Sequence, residues 1–155
     1  MKNYSQKAVE NFRKGYNCAQ SVFLAFAEDF GIDSETALKL SSSFGGGMGR
    51  LREVCGTVSA IFLLVGYKYG YTSPTDKQAK IDHYKLIQDI ARRVQQDKGS
   101  YVCRDLLQLK QGEIQSFVPD DRTAEYYQKR PCLAMVEYSA ALAEQVLQNP
   151  FYFEN

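Results

Sequence analysis

Four cysteines are the residues of this chain best suited to chemistry, and each follows a cue for the start of a helix. The cues and their cysteines are Asn17 with Cys18, Glu53 with Cys55, Ser100 with Cys103, and Pro131 with Cys132. The first turn of a helix presents unpaired backbone N–H groups and partial positive charge. Both features stabilise a thiolate, so we predict that all four cysteines have a lowered pKa.

The spacing of the cysteines excludes the common local motifs. Neighbouring cysteines are at least 29 residues apart, so the chain contains no C-x-x-C pair. This excludes a thioredoxin-type motif, paired zinc knuckles and covalent c-type haem attachment. A joint site then requires several helix starts to meet at one side of a helical bundle, and we predict that they do. The alternative is that each cysteine is a small buried hydrophobic residue.

A glycine-rich segment lies between two predicted helices, directly upstream of Cys55. Consecutive glycines allow left-handed backbone and close approach, and their N–H groups can form an anion-binding nest. The segment lacks the lysine of a P-loop and follows no strand. The candidate binding residues are Gly45, Gly46, Gly47, Gly49 and Arg50, with Arg52 as a further counter-charge. Such a segment could cover Cys55 and control access to it; the alternative is a tight helix–helix turn.

The apolar pattern is helical throughout and predicts one all-α domain over residues 1–155. We expect a bundle of about six or seven helices around a buried central helix. Residues 57–66 form that central helix, because an all-round apolar helix is a buried one. The predicted helices are 5–14, 17–30, 34–44, 53–69, 74–98, one from about residue 100, and 131–147, with a helical turn at 123–129.

Charge and hydropathy exclude several classes of partner. The net charge is +1, with both signs mixed along the chain, so no clustered basic face for nucleic acid is expected. The longest apolar run, residues 58–66, is far short of the roughly 18 residues that span a membrane. The N-terminus lacks the apolar region of a secretory signal. We therefore predict a cytoplasmic protein without membrane insertion, where thiols stay reduced.

The other candidates for chemistry have ordinary interpretations. His83 is the single histidine, and we expect a surface or half-buried residue rather than a ligand. Asp120 and Asp121 lie in a polar loop and are expected to be solvated. The aromatic residues Tyr126, Tyr127 and 151–153 leave two alternatives open: they cover the core, or they form the contact of a homodimer.

The order and flanks of the cysteines resemble a known family. The matching segments are residues 15–20 (GYNCAQ), residues 44–49 (FGGGMG), Cys55-Gly56, Cys103 and Cys132. They resemble the C_GCAxxG_C_C family of redox-active proteins, over nearly the whole chain. The resemblance implies a helical protein with four redox-active cysteines, but it names no substrate. Thr57 and Ala60 depart from the family motif, while Cys55 itself is kept.

Three functions compete at this point. The first is a thiol–disulfide oxidoreductase whose partner is a redox protein or a small thiol or disulfide. In it Cys55 attacks, Cys18 resolves the mixed disulfide, and Cys103 with Cys132 forms a second pair. Four cysteines allow three pairings, and these stay open.

The second function is an iron–sulfur or zinc protein that uses Cys18, Cys55, Cys103 and Cys132 as ligands. Its weakness is the long spacing between the cysteines. The third is a non-redox helical binding module with a small organic ligand at the glycine segment. Under that hypothesis the cysteines could be replaced without loss of binding.

Overall fold

The computed structural model describes residues 2–113 and 115–154, and within these ranges it is helical, with no β-strands. The α-helices are α1 (Tyr4–Arg13), α2 (Cys18–Ala27), α3 (Ser34–Ser41), α4 (Gly45–Met48), α5 (Gly56–Tyr69), α6 (Lys77–Lys98), α7 (Cys103–Leu106), α8 (Ala124–Lys129) and α9 (Cys132–Gln148). The predicted all-α class is confirmed. The described residues form more α-helices than the six or seven predicted, because two short ones are added. α4 is a single turn, and α8 is the predicted helical turn at 123–129.

Polar side chains fix the helix starts, much as the sequence predicted. Asn17 caps α2 through a capping box with Gln20, and Asp33 caps α3 by accepting from the Thr36 N–H. These side chains satisfy N–H groups that have no partner inside the helix. At the other end of α6, Gly99 adopts the left-handed conformation that closes a helix.

Several predicted boundaries were wrong by a few residues. α1 is capped by Asn3 rather than by Ser5, and α6 is capped by Asp76, two residues after Pro74. α2 and α3 stop early because their last turns tighten into 3-10 helices, Glu28–Phe30 and Ser42–Phe44. Each observed cap accepts a hydrogen bond from the backbone N–H three residues on, Asn3 from Gln6 and Asp76 from Ala79.

The predicted central helix is confirmed. The N-terminal part of α5 is buried on every side, from Gly56 through Ile61. α2 and α9 pack against it, and α1 lies across α2 and α9. α6 covers a further side of α5 and buries Ile90 and Val94. The core lies between α1, α2, α5 and α9, so these helices fix where the cysteine-bearing helix starts can lie.

Gly56 allows α5 to begin directly against α2. A Cβ atom on Gly56 would lie 2.6 Å from Cys18 Sγ and 2.6 Å from the Phe44 carbonyl oxygen. The absence of a side chain at Gly56 therefore lets α2 and the Phe44 carbonyl approach the backbone of α5. Gly66, in the same helix, has no atom within 4 Å of such a Cβ.

These two glycines provide a matched test of the packing. Gly56→Ala should lower the free energy of unfolding by about 1–3 kcal/mol, because the methyl group overpacks the α2–α5 contact. Gly66→Ala should raise it by about 0.5–1 kcal/mol, because alanine favours helix and nothing blocks the methyl group. Urea unfolding of the reduced protein measures both. Equal effects of the two substitutions would contradict this account of the helix contact.

Candidate functional site

All four cysteines line one cavity of about 280 Å³. Cys18, Cys103 and Cys132 are the first residues of α2, α7 and α9, and Cys55 is the N-cap of α5. The predicted convergence of the helix starts is confirmed. All four are free thiols. Their chemical role stays a prediction, but the arrangement puts four sulfurs at one site.

A short backbone pairing brings Cys55 and Cys103 to the same side. Val54 and Val102 form an isolated antiparallel bridge. Next to it, the Cys55 N–H donates to the Tyr101 carbonyl at 2.8 Å, and the Cys103 N–H donates to the Glu53 carbonyl at 2.7 Å. A single bridge of this kind has no alternating pattern of apolar residues, so it could not be predicted from the sequence.

The predicted lowering of the cysteine pKa values was wrong for three of the four cysteines. Burial raises the pKa of Cys18, raises that of Cys55 to about 12 and raises that of Cys132 to about 11. Loss of water disfavours the charged thiolate, and here it outweighs the hydrogen bonds that favour it. The sequence places these cysteines at helix starts but cannot show how deeply they are buried.

Each of these thiols has neighbours that act against the effect of burial. The Gly46 N–H donates to the Cys18 sulfur. The Cys55 sulfur lies 3.2 Å from the Thr57 hydroxyl, which in turn accepts from the Ser139 hydroxyl at 2.8 Å. These donors can stabilise negative charge on sulfur when it forms during a reaction.

Cys103 differs from the other cysteines in its contact with a buried arginine. The Arg52 guanidinium donates to Cys103 Sγ at 3.6 Å, and its Nε donates to the Gln115 side chain at 3.2 Å. Arg52 is only 3% exposed. A positive charge beside a sulfur stabilises the thiolate form that reacts. From the sequence, Arg52 is expected only as a counter-charge of the glycine segment, because Cys103 lies 51 residues away.

The glycine segment is a run of left-handed backbone. Gly46, Gly47 and Gly49 have positive φ, as expected, and so do three residues with side chains: Met48 (φ 66°), Arg50 (φ 67°) and Arg52 (φ 63°). Left-handed backbone costs about 1–2 kcal/mol for a residue with a Cβ. This conformation turns the chain sharply between α3 and α5.

The predicted binding residues of this segment lie in two places. Gly45, Gly46, Gly49 and Arg50 line the cavity. Gly47 does not, because it is packed behind the cavity wall: a Cβ there would lie 2.6 Å from Cys103 Cβ. Part of the segment therefore faces the cavity while another part packs against Cys103, and its role in covering Cys55 stays a prediction.

Asp120 is exposed, as its polar loop predicted, but its carboxylate is held by two arginines. Its carboxylate is bound by Arg50, at 3.2 Å, and by Arg130. Burial alone would raise the pKa of Asp120, but the two arginines outweigh burial and lower the pKa. Asp120 thereby fastens the 115–120 loop to the glycine segment at the cavity. Asp121 is exposed, as expected.

The remaining candidates lie away from the sulfurs or cover the core. His83 is half-buried on α6 and does not line the cavity; burial lowers its pKa. Tyr127 packs on the Phe12 ring, with 5.8 Å between ring centroids, and Tyr126 lines the cavity. These two tyrosines therefore cover the core. The homodimer contact stays a prediction.

The described residues contain no ready-made metal site. Within 2–113 and 115–154, no three His, Cys, Asp or Glu side chains stand close enough together to hold one ion. Tetrahedral zinc and four-iron clusters both need their thiolates to converge on one point. The cysteines share a cavity, but they are not arranged as a ligand set.

A comparison with protein families identifies the class to which the chain belongs. The family model described as "Putative redox-active protein (C_GCAxxG_C_C)" matches residues 16–146. The chain therefore belongs to the C_GCAxxG_C_C family. No curated protein and no solved structure gives a match. In the described ranges, no helix is long and apolar enough to cross a membrane.

The raised pKa of Cys55 predicts an alkaline loss of stability. The folded state holds the Cys55 proton up to about pH 12, while the unfolded chain releases it near pH 9. The stabilisation is thus complete below pH 9 and is lost as the pH rises toward 12, at up to about 1.4 kcal/mol per pH unit. Urea unfolding of reduced protein at pH 7, 9 and 10.5 measures it.

The matched control is Cys55→Ser, which removes this titrating group. Its free energy of unfolding should fall less steeply between pH 9 and 10.5 than that of the unsubstituted protein. Parallel curves for the two proteins over this interval would show that Cys55 titrates normally.

Proposed function

We propose that this protein is a thiol–disulfide oxidoreductase whose cavity cysteines exchange electrons with a disulfide substrate. The observation that carries the proposal is the meeting of four free cysteines in one cavity, one of them in contact with a buried guanidinium. Membership of a redox-active family agrees with it. We expect the protein to act in a reducing compartment such as the cytoplasm, where such thiols persist.

Cys103 is the best candidate for the attacking sulfur. Attack requires a thiolate, and the Arg52 guanidinium is placed to stabilise one on Cys103. Cys55 was the choice made from the sequence. Burial, however, raises the pKa of Cys55 to about 12, which leaves very little thiolate at neutral pH. Cys55 therefore fits a supporting or later step better than the first attack.

Cys18 is the best candidate for the resolving sulfur. Cys18 and Cys103 line the same cavity, each as the first residue of a helix. The Gly46 N–H already donates to the Cys18 sulfur and can stabilise charge that develops on it. Cys18 is also half-buried rather than fully buried.

The proposed reaction balances in two steps. The Cys103 thiolate attacks one sulfur of the substrate disulfide, forming a mixed disulfide and releasing the first substrate thiolate. The Cys18 sulfur then attacks Cys103 Sγ, giving up its proton and expelling the second substrate thiolate. The substrate gains two electrons, and the protein is left with a Cys18–Cys103 disulfide.

Single substitutions to serine test these assignments. Cys103→Ser should abolish the fast reaction with a disulfide, because the attacking sulfur is gone. Cys18→Ser should instead stop the reaction after one step and leave a stable mixed disulfide on Cys103. Intact mass and peptide mapping, after brief exposure of the reduced protein to hydroxyethyl disulfide, measure both results.

The control is Cys132→Ser, which should still form the Cys18–Cys103 disulfide. A fast reaction that survives in Cys103→Ser would contradict the assignment of the attacking sulfur. Equal behaviour of all single cysteine variants and the unsubstituted protein would contradict the oxidoreductase function. That result would favour the non-redox binding module.

A further inference from the structure

The lining of the cysteine cavity carries a large excess of positive charge. Four arginines line it, Arg50, Arg52, Arg122 and Arg130, against one carboxylate, that of Asp120. The lining therefore carries a charge of about +3, while the whole chain carries +1. A cleft lined by one sign of charge concentrates ligands of the opposite sign.

Arg52 is the most informative of these arginines because it is buried and its side chain pairs only with an amide and the Cys103 sulfur. It is 3% exposed, and within the described part of the chain no carboxylate lies within 4.0 Å of it. Its hydrogen bonds go to a side-chain amide and to the Cys103 sulfur. A buried ion without a counter-charge is costly, so an arrangement of this kind favours the entry of an anion.

Arg122 adds a second positive charge without a carboxylate. Its guanidinium donates to the carbonyls of Phe12 and Tyr16, each at 2.9 Å, and lies 4.1 Å from the Phe12 ring centroid. Carbonyls and an aromatic face hold the group in place but leave its charge intact. The two arginines are thus fixed in position before any ligand binds.

The size and depth of the cavity limit what can reach the sulfurs. Its volume of about 280 Å³ is at the lower end for sites of small organic ligands, roughly 300–1,000 Å³. Cys55 is 7% exposed and Cys103 is 8% exposed. A disulfide on the surface of a folded protein is too bulky to reach such sulfurs, whereas a small molecule can.

We propose that the substrate is a small disulfide that carries carboxylate groups, bound in the cavity with a carboxylate on Arg52. This inference rests on the proposed function, because it names the substrate class of the same site. Guanidinium groups bind carboxylates through short, charge-assisted hydrogen bonds. Binding there places the substrate next to Cys103, whose thiolate attacks the nearer sulfur. Each substrate sulfur leaves as a thiolate, and the products are two anionic thiols.

Three small disulfides of similar size and different charge test the proposal. Dithiodipropionate carries two carboxylates. Hydroxyethyl disulfide is neutral, and cystamine carries two ammonium groups. Rates of oxidation of the reduced protein are divided by the rates of the same disulfides with a model thiol, which removes their intrinsic reactivity. We expect the normalised rate to be about ten- to a hundred-fold higher for the dianion than for the neutral disulfide, and lowest for cystamine.

Variants of Arg52 assign this preference to its guanidinium. Arg52→Gln should bring the ratio of dianion to neutral disulfide close to one, and Arg52→Lys should keep most of it, because lysine keeps the charge. Arg92→Gln, on the exposed side of α6, is the control and should leave the ratio unchanged. If Arg52→Gln does not fold, the order of the normalised rates of the three disulfides with the unsubstituted protein still tests whether the substrate is anionic.

The outcomes separate this inference from the proposed function. All three disulfides could react faster with the protein than with the model thiol, but at equal normalised rates or with cystamine fastest. That result would contradict the anionic substrate and leave the oxidoreductase function standing. If none reacts faster than with the model thiol, the proposed function fails. An unchanged ratio in a folded Arg52→Gln would overturn the role of Arg52.

Discussion

The contact between the starts of α2 and α5 is the constraint on which the site depends. Gly56 leaves no side chain at this point, so the Cys18 sulfur and the Phe44 carbonyl can approach the backbone of α5. That approach places Cys18 beside the N-cap Cys55 and leaves the glycine segment to turn above them. The same packing buries Cys55 and half-buries Cys18, and burial raises the pKa of both thiols.

Burial and charge act in opposite directions on these cysteines. Removal of water raises the pKa of Cys18, Cys55 and Cys132 and keeps these thiols neutral. Arg130 opposes the effect of burial on the pKa of Cys132, and Arg52 donates a hydrogen bond to the Cys103 sulfur. One cavity can therefore hold a reactive sulfur next to protected ones. In the proposed reaction Cys103, the sulfur in contact with a guanidinium, attacks first.

Local signals in the sequence were sufficient for the helices but not for the electrostatics of the site. Asn17 and Asp33 are strong caps, and the apolar run after Gly56 indicates a buried helix wherever it packs, so these features could be predicted. The link between Arg52 and Cys103 joins residues 51 positions apart through a single backbone bridge. The ion pairs of Asp120 depend on Arg50, 70 residues away. The depth of burial that raises the pKa of Cys55 is likewise a property of the packed bundle, and no short window of sequence contains it.

The central claim is that Cys18 and Cys103 form the working redox couple of this cavity. Equilibration of the protein in buffers of reduced and oxidised dithiothreitol, followed by acid quenching and mapping of the cysteines, tests it most directly. The account predicts one two-electron transition in which a disulfide between Cys18 and Cys103 appears as the two free thiols disappear. A protein that keeps four free thiols across the whole range of buffers would contradict it, and so would a first disulfide that joins Cys55 to Cys132.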